Sequence, residues 1–248
     1  NRIYLFGKIK QVDTAYIQIL RVNKYMLNVY AQNAGTGAMT VNGRDGMEAG
    51  YIGSITVNGG NVNIFGCIGK PGIFTGWAVN VAGGVLNITG GENSSGVRSS
   101  TITVTGGELN IVGGNNTGNA YANYGMIDSG ITVTGGVATI TGGRKKDGQS
   151  YYAFEGDVAW IDATIFYNDT SSEKWKLFTD KDKIKYMTSL KLIPKGNSVF
   201  PYIDKNGDEQ SAETKVISPK TNEWSGWMIV LVDTEINNIV KLIDDTNI

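Results

Sequence analysis

Apolar and polar residues alternate with a period of two along the middle of the chain, which is the pattern of β-strands and not of helices. The alternation comes in repeated units, each made of two short alternating runs that are separated by a pair of glycines. The clear units are Ile55–Gly66, Val79–Gly91, Ile102–Gly114 and Ile131–Gly143. The second glycine of each pair falls at Gly60, Gly84, Gly107 and Gly136, so the steps are 24, 23 and 29 residues.

A repeat of this length predicts that the units stack, because one unit cannot bury its own apolar face. Stacking places like residues on like residues and gives four aliphatic columns inside, with columns of Thr and Asn outside. A degenerate fifth unit, Gln32–Gly43, extends the series upstream. The glycine pair supplies the backbone freedom that a tight corner needs. The sequence therefore predicts an all-β chain folded as a parallel β-helix, a solenoid of about 23 residues per turn.

The units of the form T-V-T-G-G-x-x-x-I-x-G-G resemble those of right-handed parallel β-helix surface proteins of the pectin-lyase-like superfamily, whose architecture phage tailspikes share. The resemblance covers roughly residues 31–167. It implies a right-handed coil and an extracellular, cell-surface or virion-surface location. It also implies a polysaccharide or cell-surface glycan as partner.

The two ends depart from the repeat. Residues 1–30 are predicted to be N-terminal cap strands, residues 31–167 the β-helix, and residues 174–248 a C-terminal β-rich domain or cap. In the last turn Trp160 and Phe166 replace small polar residues, which predicts that this surface is covered. Asn206-Gly207 predicts a hairpin turn, an interpretation that we prefer to a calcium loop at Asp204–Glu209.

Composition excludes several classes of function. Lys and Arg number 22 against 23 Asp and Glu, so there is no basic footprint for nucleic acid. No apolar run is long enough to span a bilayer. The chain has no histidine, which removes Ser-His-Asp catalysis and histidine metal sites, and its one cysteine, Cys67, cannot form an intrachain disulfide. We predict no cofactor and no metal.

Catalytic groups are sparse. Glycoside hydrolysis needs two carboxylates at one bond, and Glu108 is the one carboxylate on the faces of the four clear units. Asp128 and Glu155 lie in loops and remain a candidate pair for a polysaccharide lyase or hydrolase, an alternative that the sequence leaves open. We assign no catalytic residue.

The segments between units lengthen along the chain, and insertions at one corner of a repeat project from one side, which is often the binding side. The longest two, Asn115–Gly130 and Arg144–Gly156, combine aromatic rings with amides. Rings stack on the C–H faces of sugars, and amides bond hydroxyl groups. The predicted glycan-binding residues are Tyr121, Tyr124, Tyr151, Tyr152, Asn119, Asn123 and Gln149.

The leading interpretation is thus a non-enzymatic extracellular protein that binds glycans or a cell surface, as an adhesin or carbohydrate-binding module. An alternative is a phage-tail or surface-fibre subunit, which would be a homo-oligomer and typically a trimer. The Thr and Asn columns also admit an ice-binding surface, although the rows mix Thr, Asn, Ala and Val.

Overall fold

A computed structural model describes residues 2–6, 25–31, 38–42, 54–74, 78–117, 123–168, 174–195, 202–203, 206–207, 209–210, 227–233 and 239–243. The chain is all-β, and parallel strands build most of its two sheets. In chain order the strands are β1 (Arg2–Phe6), β2 (Tyr25–Ala31), β3 (Ala38–Asn42), β4 (Ser54–Val57), β5 (Asn61–Phe65), β6 (Ile73–Phe74), β7 (Ala78–Val81), β8 (Val85–Thr89), β9 (Val97–Arg98), β10 (Thr101–Val112), β11 (Met126–Ile127), β12 (Gly130–Thr141), β13 (Phe154–Glu155), β14 (Ile161–Asp162), β15 (Thr164–Asn168), β16 (Lys176–Leu177), β17 (Ser189–Ile193), β18 (Tyr202–Ile203), β19 (Glu209–Gln210), β20 (Trp227–Asp233) and β21 (Ile239–Ile243). Two short 3₁₀ helices span Val158–Trp160 and Lys181–Tyr186.

Neighbouring repeats pair as parallel strands in the register that the sequence predicts. In the first run of each repeat, Val79 of β7 pairs with Ile55 of β4 and with Ile102 of β10. In the second run, Leu86 of β8 pairs with Val62 of β5 and with Leu109 of β10. The same register continues from β10 to β12. A third set of short parallel strands, β6, β9, β11 and β13, forms the smaller sheet.

The apolar columns form the core. Their side chains are buried because alternate residues of each strand point to the same face, and all of the predicted column positions from Ile55 to Ile140 are buried. The outer columns are half-buried or exposed, with one exception. Asn58 was expected on the outer face but is 7% exposed, and its backbone N–H donates to the carbonyl of Val29 at 2.8 Å.

Two columns of glycine allow the repeats to approach. Gly60, Gly84, Gly107 and Gly136 have φ of 80°, 71°, 69° and 74°, which is the left-handed conformation that side chains disfavour. A second column, Gly91, Gly114 and Gly143, follows the second run of each repeat. A Cβ on any of these would overlap a backbone carbonyl of the preceding repeat, at Cys67, Gly91 or Gly114 respectively. Each corner thus packs backbone on backbone.

On the outer face the amides of Asn63, Asn87 and Asn110 form a hydrogen-bonded ladder. The Nδ2 of Asn87 donates to Oδ1 of Asn63 at 2.9 Å, and the Nδ2 of Asn110 donates to Oδ1 of Asn87 at 2.9 Å. The polar columns therefore bond neighbouring repeats to one another as well as facing solvent.

Replacement of Asn87 by alanine is expected to lower the free energy of unfolding by about 1 kcal/mol, because the central amide both donates and accepts in this ladder. Urea unfolding followed by circular dichroism measures the change. Thr89→Ala, on the same strand but outside the ladder, is the matched control. Equal stability of the two variants would show that the ladder contributes nothing.

Antiparallel strand β17 closes the C-terminal end of the repeats. It pairs with the second run of β12 on one side and with β15 on the other. Ile184, in the second 3₁₀ helix, is 3% exposed and packs against the core. The predicted cover over the last turn is confirmed for Phe166, which is 1% exposed, and is wrong for Trp160, which is 47% exposed. Trp160 comes directly before β14, at the exposed edge of the last repeat.

At the other end, β2 pairs in parallel with β4, and β3 pairs in parallel with β5. The pairing of Met39 with Val62 is the register expected of the degenerate fifth unit. Strand β20, from the C-terminal region, pairs antiparallel with both β1 and β2, and β21 pairs in parallel with β1. The chain thus brings strands from its first and last regions together. Residues 7–24 of the predicted N-terminal cap lie outside the described residues.

The hairpin predicted at Asn206-Gly207 is present as the antiparallel pair of β18 and β19. Its closing pair is Ile203 with Glu209, so the connection has five residues and not two. Gly207 has φ of 91°, as a turn glycine requires.

Candidate functional site

Tyr124 and Tyr152 occupy equivalent positions in successive repeats, two residues before strands of the smaller sheet. Met126 of β11 pairs with Phe154 of β13, and this register places the two tyrosines in neighbouring layers. Their ring centroids are 6.3 Å apart, and the ring planes are inclined by 35°. The main-chain pairing of the repeats therefore fixes the spacing of the two rings.

A third tyrosine continues this series from outside the repeats. Tyr186 ends the second 3₁₀ helix, and its ring centroid lies 6.0 Å from that of Tyr152, with an interplanar angle of 86°. The backbone N–H of Ala153 donates to the carbonyl of Met187 at 2.7 Å, which ties this segment to the layer of Tyr152. Tyr152 and Tyr186 are 37% and 54% exposed. We call Tyr124, Tyr152 and Tyr186 the tyrosine row.

Charged groups flank the row. The Nζ of Lys185 lies 5.2 Å from the ring centroid of Tyr186, and the Nζ of Lys145 lies 5.4 Å from that of Tyr151. Both distances fall within the range of cation–π attraction. Partial burial raises the pKa of the Tyr124 hydroxyl, and the Glu155 carboxylate raises it further. This hydroxyl is therefore protonated at neutral pH, as an ordinary phenol is, and acts as both a donor and an acceptor.

Tyr151 and Asn123, both predicted to contact ligand, are bound into the loops themselves. The hydroxyl of Tyr151 accepts from Nδ2 of Asn116 at 2.6 Å, and its ring is half-buried. Asn123 is fully buried; its side-chain Nδ2 donates to the carbonyl of Gly114, and its backbone carbonyl accepts from the N–H of Gly143 at 2.7 Å. Their positions fit residues that hold the loops on which the row stands.

Three predicted glycan-binding residues remain, and the structure describes one of them, Gln149. Gln149 is exposed in the tight loop between Arg144 and Ser150, where its N–H donates to Oδ1 of Asp147 at 3.0 Å. Tyr121 and Asn119 lie outside the described residues.

Sequence reasoning missed Tyr186, because it lies beyond the last repeat and belongs to no periodic pattern. The available signal was indirect. In the short run Ile184-Lys185-Tyr186 an apolar residue comes two positions before an aromatic one. The structure buries Ile184 and exposes Tyr186. Burial of Ile184 fixes the orientation of the second 3₁₀ helix at the end of the repeats, and Tyr186 then lies next to Tyr152.

The candidate carboxylates of an enzymatic site are both exposed. Asp128 has φ of 49°, and its backbone N–H donates to the carbonyl of Glu155 at 3.2 Å, so the two residues lie in neighbouring layers. In the part of the chain that the structure describes, no three His, Cys, Asp or Glu side chains are grouped as a metal site would need. Glu108 instead accepts from Nδ2 of Asn110 at 2.8 Å, on the outer ladder.

A second aromatic contact lies beside that ladder, where the Nζ of Lys191 is 4.6 Å from the ring centroid of Trp175. Burial lowers the pKa of the Lys191 ammonium, and the Glu108 carboxylate opposes this effect. Lys191 belongs to β17 and Trp175 comes directly before β16, so this contact joins two segments of the C-terminal region.

Comparison of the chain with models of protein families, with curated proteins and with solved structures found no match. Among the described residues there is no helix of the length and apolar character that crossing a bilayer requires.

Proposed function

We propose that this chain is a right-handed parallel β-helix of the extracellular or cell-surface kind, and that it binds glycans through the tyrosine row without transforming them. The observation that carries the proposal is the row itself. Two tyrosines from successive repeats and one from the helix that follows them have ring centroids 6.3 and 6.0 Å apart, and Tyr152 and Tyr186 are among the most exposed large aromatic side chains of the described residues.

The chemistry of the row suits sugars. A sugar ring presents a face of C–H groups, which packs on an aromatic face, and its hydroxyl groups need directional partners. The phenol hydroxyls donate and accept, while the Lys185 ammonium and the Glu155 carboxylate supply a charged donor and a charged acceptor at the margin.

The support beneath the rings is rigid. Backbone pairing between β11 and β13 holds Tyr124 and Tyr152, and burial of Ile184 holds the helix of Tyr186. Platforms that are positioned before the ligand arrives lose little conformational entropy on binding. The in-register pairing of repeats, with its buried aliphatic columns, supports the β-helix as the scaffold of this site.

Binding is proposed in preference to catalysis because of the groups that the fold brings to the row. These are phenols, with ammonium groups and the Glu155 carboxylate at the edges. Hydrolysis of a glycosidic bond uses a pair of carboxylates that face that bond. An arrangement rich in rings and poor in acid–base pairs favours recognition.

Replacement of Tyr152 by alanine is expected to weaken retention on a glycan array by about twofold to tenfold, since it removes the central ring, and loss of aromatic packing costs roughly 0.5–1.5 kcal/mol. Trp160→Ala is the matched control, because Trp160 is similarly exposed but is not part of the row. Equal retention of the two variants would contradict the site. A wild-type protein that binds no glycan would contradict the function.

A further inference from the structure

We infer that the ligand of the tyrosine row is a single hydrated glycan chain that twists along its length, and not the flat face of an insoluble polysaccharide. The inference rests on the proposed function, because it concerns the class of glycan that the same three rings accept. It is carried by the angles between the rings.

The three rings do not share a plane. Tyr124 and Tyr152 are inclined by 35°, and Tyr152 and Tyr186 by 86°. A crystalline polysaccharide presents sugar rings in one plane, so simultaneous stacking on it requires coplanar aromatic rings. Two rings that are almost perpendicular cannot both lie flat on such a surface, whatever the orientation of the protein.

A twisted single chain meets this geometry. In such a chain each sugar is rotated about the chain axis relative to the one before, so that successive C–H faces point in different directions. The ring centroids of the tyrosine row are 6.3 and 6.0 Å apart, and the angle between ring planes changes from 35° to 86° along the row. Each ring can therefore stack on the C–H face of a different sugar. Tyr124 and Tyr152 come from successive repeats, and the hydrogen bond from Ala153 to Met187 places Tyr186 next to the layer of Tyr152. The glycan chain would therefore run along the direction in which the repeats are stacked.

The ring angles are properties of the fold and not of one free side chain. Tyr152 and Tyr186 meet edge to face, which is a favoured arrangement of aromatic pairs. The hydrogen bond from Ala153 to Met187 and the buried side chain of Ile184 set the backbone on either side of Tyr186. The Lys185 ammonium lies over the ring of Tyr186 and places a charged donor beside the row.

The first test compares soluble with insoluble probes. Affinity electrophoresis in gels that contain arabinoxylan, mixed-linkage β-glucan or soluble starch, together with the glycan array, measures binding to single chains. Depletion from solution by microcrystalline cellulose and by α-chitin measures binding to flat faces. We expect binding to at least one soluble chain and no depletion by either solid. Depletion by a solid through Tyr152 would overturn the inference while leaving glycan binding intact. Failure of every probe would overturn the proposed function as well.

The second test concerns Tyr186, which the inference requires as a third contact. Tyr186→Ala should weaken binding of long soluble chains by about threefold to tenfold, and should affect the shortest oligosaccharides that bind much less. Tyr186→Trp keeps an aromatic face at this position and should retain binding, which separates loss of the ring from loss of the fold. If Tyr186→Ala binds long chains as the wild type does, while Tyr152→Ala does not, the row ends at two rings and the inference is wrong.

Discussion

Replacement of Gly114 by alanine is expected to destabilise the chain by more than about 4 kcal/mol, a large part of the stability of an ordinary domain. The new Cβ would overlap the carbonyl oxygen of Gly91 and lie 2.6 Å from its carbonyl carbon. These are backbone atoms of the neighbouring repeat, so no side-chain rotation relieves the overlap. The strands would have to separate and lose hydrogen bonds such as that from Gly114 N–H to the carbonyl of Ser94, at 2.8 Å.

Urea unfolding followed by circular dichroism measures this effect, and Gly130→Ala is the matched control. A Cβ on Gly130 would have its nearest neighbour, the carbonyl oxygen of Trp160, at 3.6 Å, which is ordinary contact. Alanine there reduces the freedom of the unfolded chain, so the control should be neutral or up to about 1 kcal/mol more stable. Similar stability of Gly114→Ala and wild type would show that the repeats do not pack as closely as the structure has them.

Replacement of Ile184 by alanine is expected to cost about 2–4 kcal/mol and to weaken glycan binding in the same variant. Ile184 is 3% exposed and packs against the end of the core, and truncation of a buried aliphatic side chain removes apolar burial and leaves a cavity. The same residue orients the helix that carries Tyr186. Stability and binding should therefore fall together.

Lys183→Ala, one residue earlier on the same helix, provides the comparison. Lys183 is exposed, and its ion pair with Asp180 at 3.0 Å lies at the surface, where such pairs contribute little. It should change stability by less than about 0.5 kcal/mol and leave binding unaltered. A stable Ile184→Ala variant with intact binding would contradict the role given to the helix.

The interior of the repeats could be predicted from the sequence almost residue by residue. Alternation assigns Leu109 to the core and Asn110 to the outer face, and the glycine pair sets where each run begins. Because the units are similar, aligning them also gives the pairing register, and the pairs Val79–Ile102 and Leu86–Leu109 confirm it. The prediction of parallel β-strands was possible because it depends on the alternation of apolar and polar residues within each unit, and the sequence repeats that alternation several times.

The ends and the site depended on information that no repeat carries. The C-terminal region was predicted to be rich in β-strands, but no repeat sets the partner or the direction of its strand β17, which pairs antiparallel with β12. Asn123 and Gln149 look alike as loop amides, yet one is fully buried and the other exposed. Tyr186 joins the row through tertiary packing alone. The periodicity of the sequence could not place residues that have no equivalent in the other repeats.

The shared register of the repeats has a consequence for how this protein can change its length. Removal of residues 79–101 would join Ala78 to Ile102, the residue that pairs with Val79, so one whole unit would leave and its neighbours would meet in the same register. Gly60 would then face Gly107, and Asn63 would face Asn110. The tyrosine row and the closing strand β17 lie beyond the excised unit. Duplication or loss of internal units is thus a route by which evolution can lengthen or shorten the molecule while the end that carries the tyrosine row stays as it is.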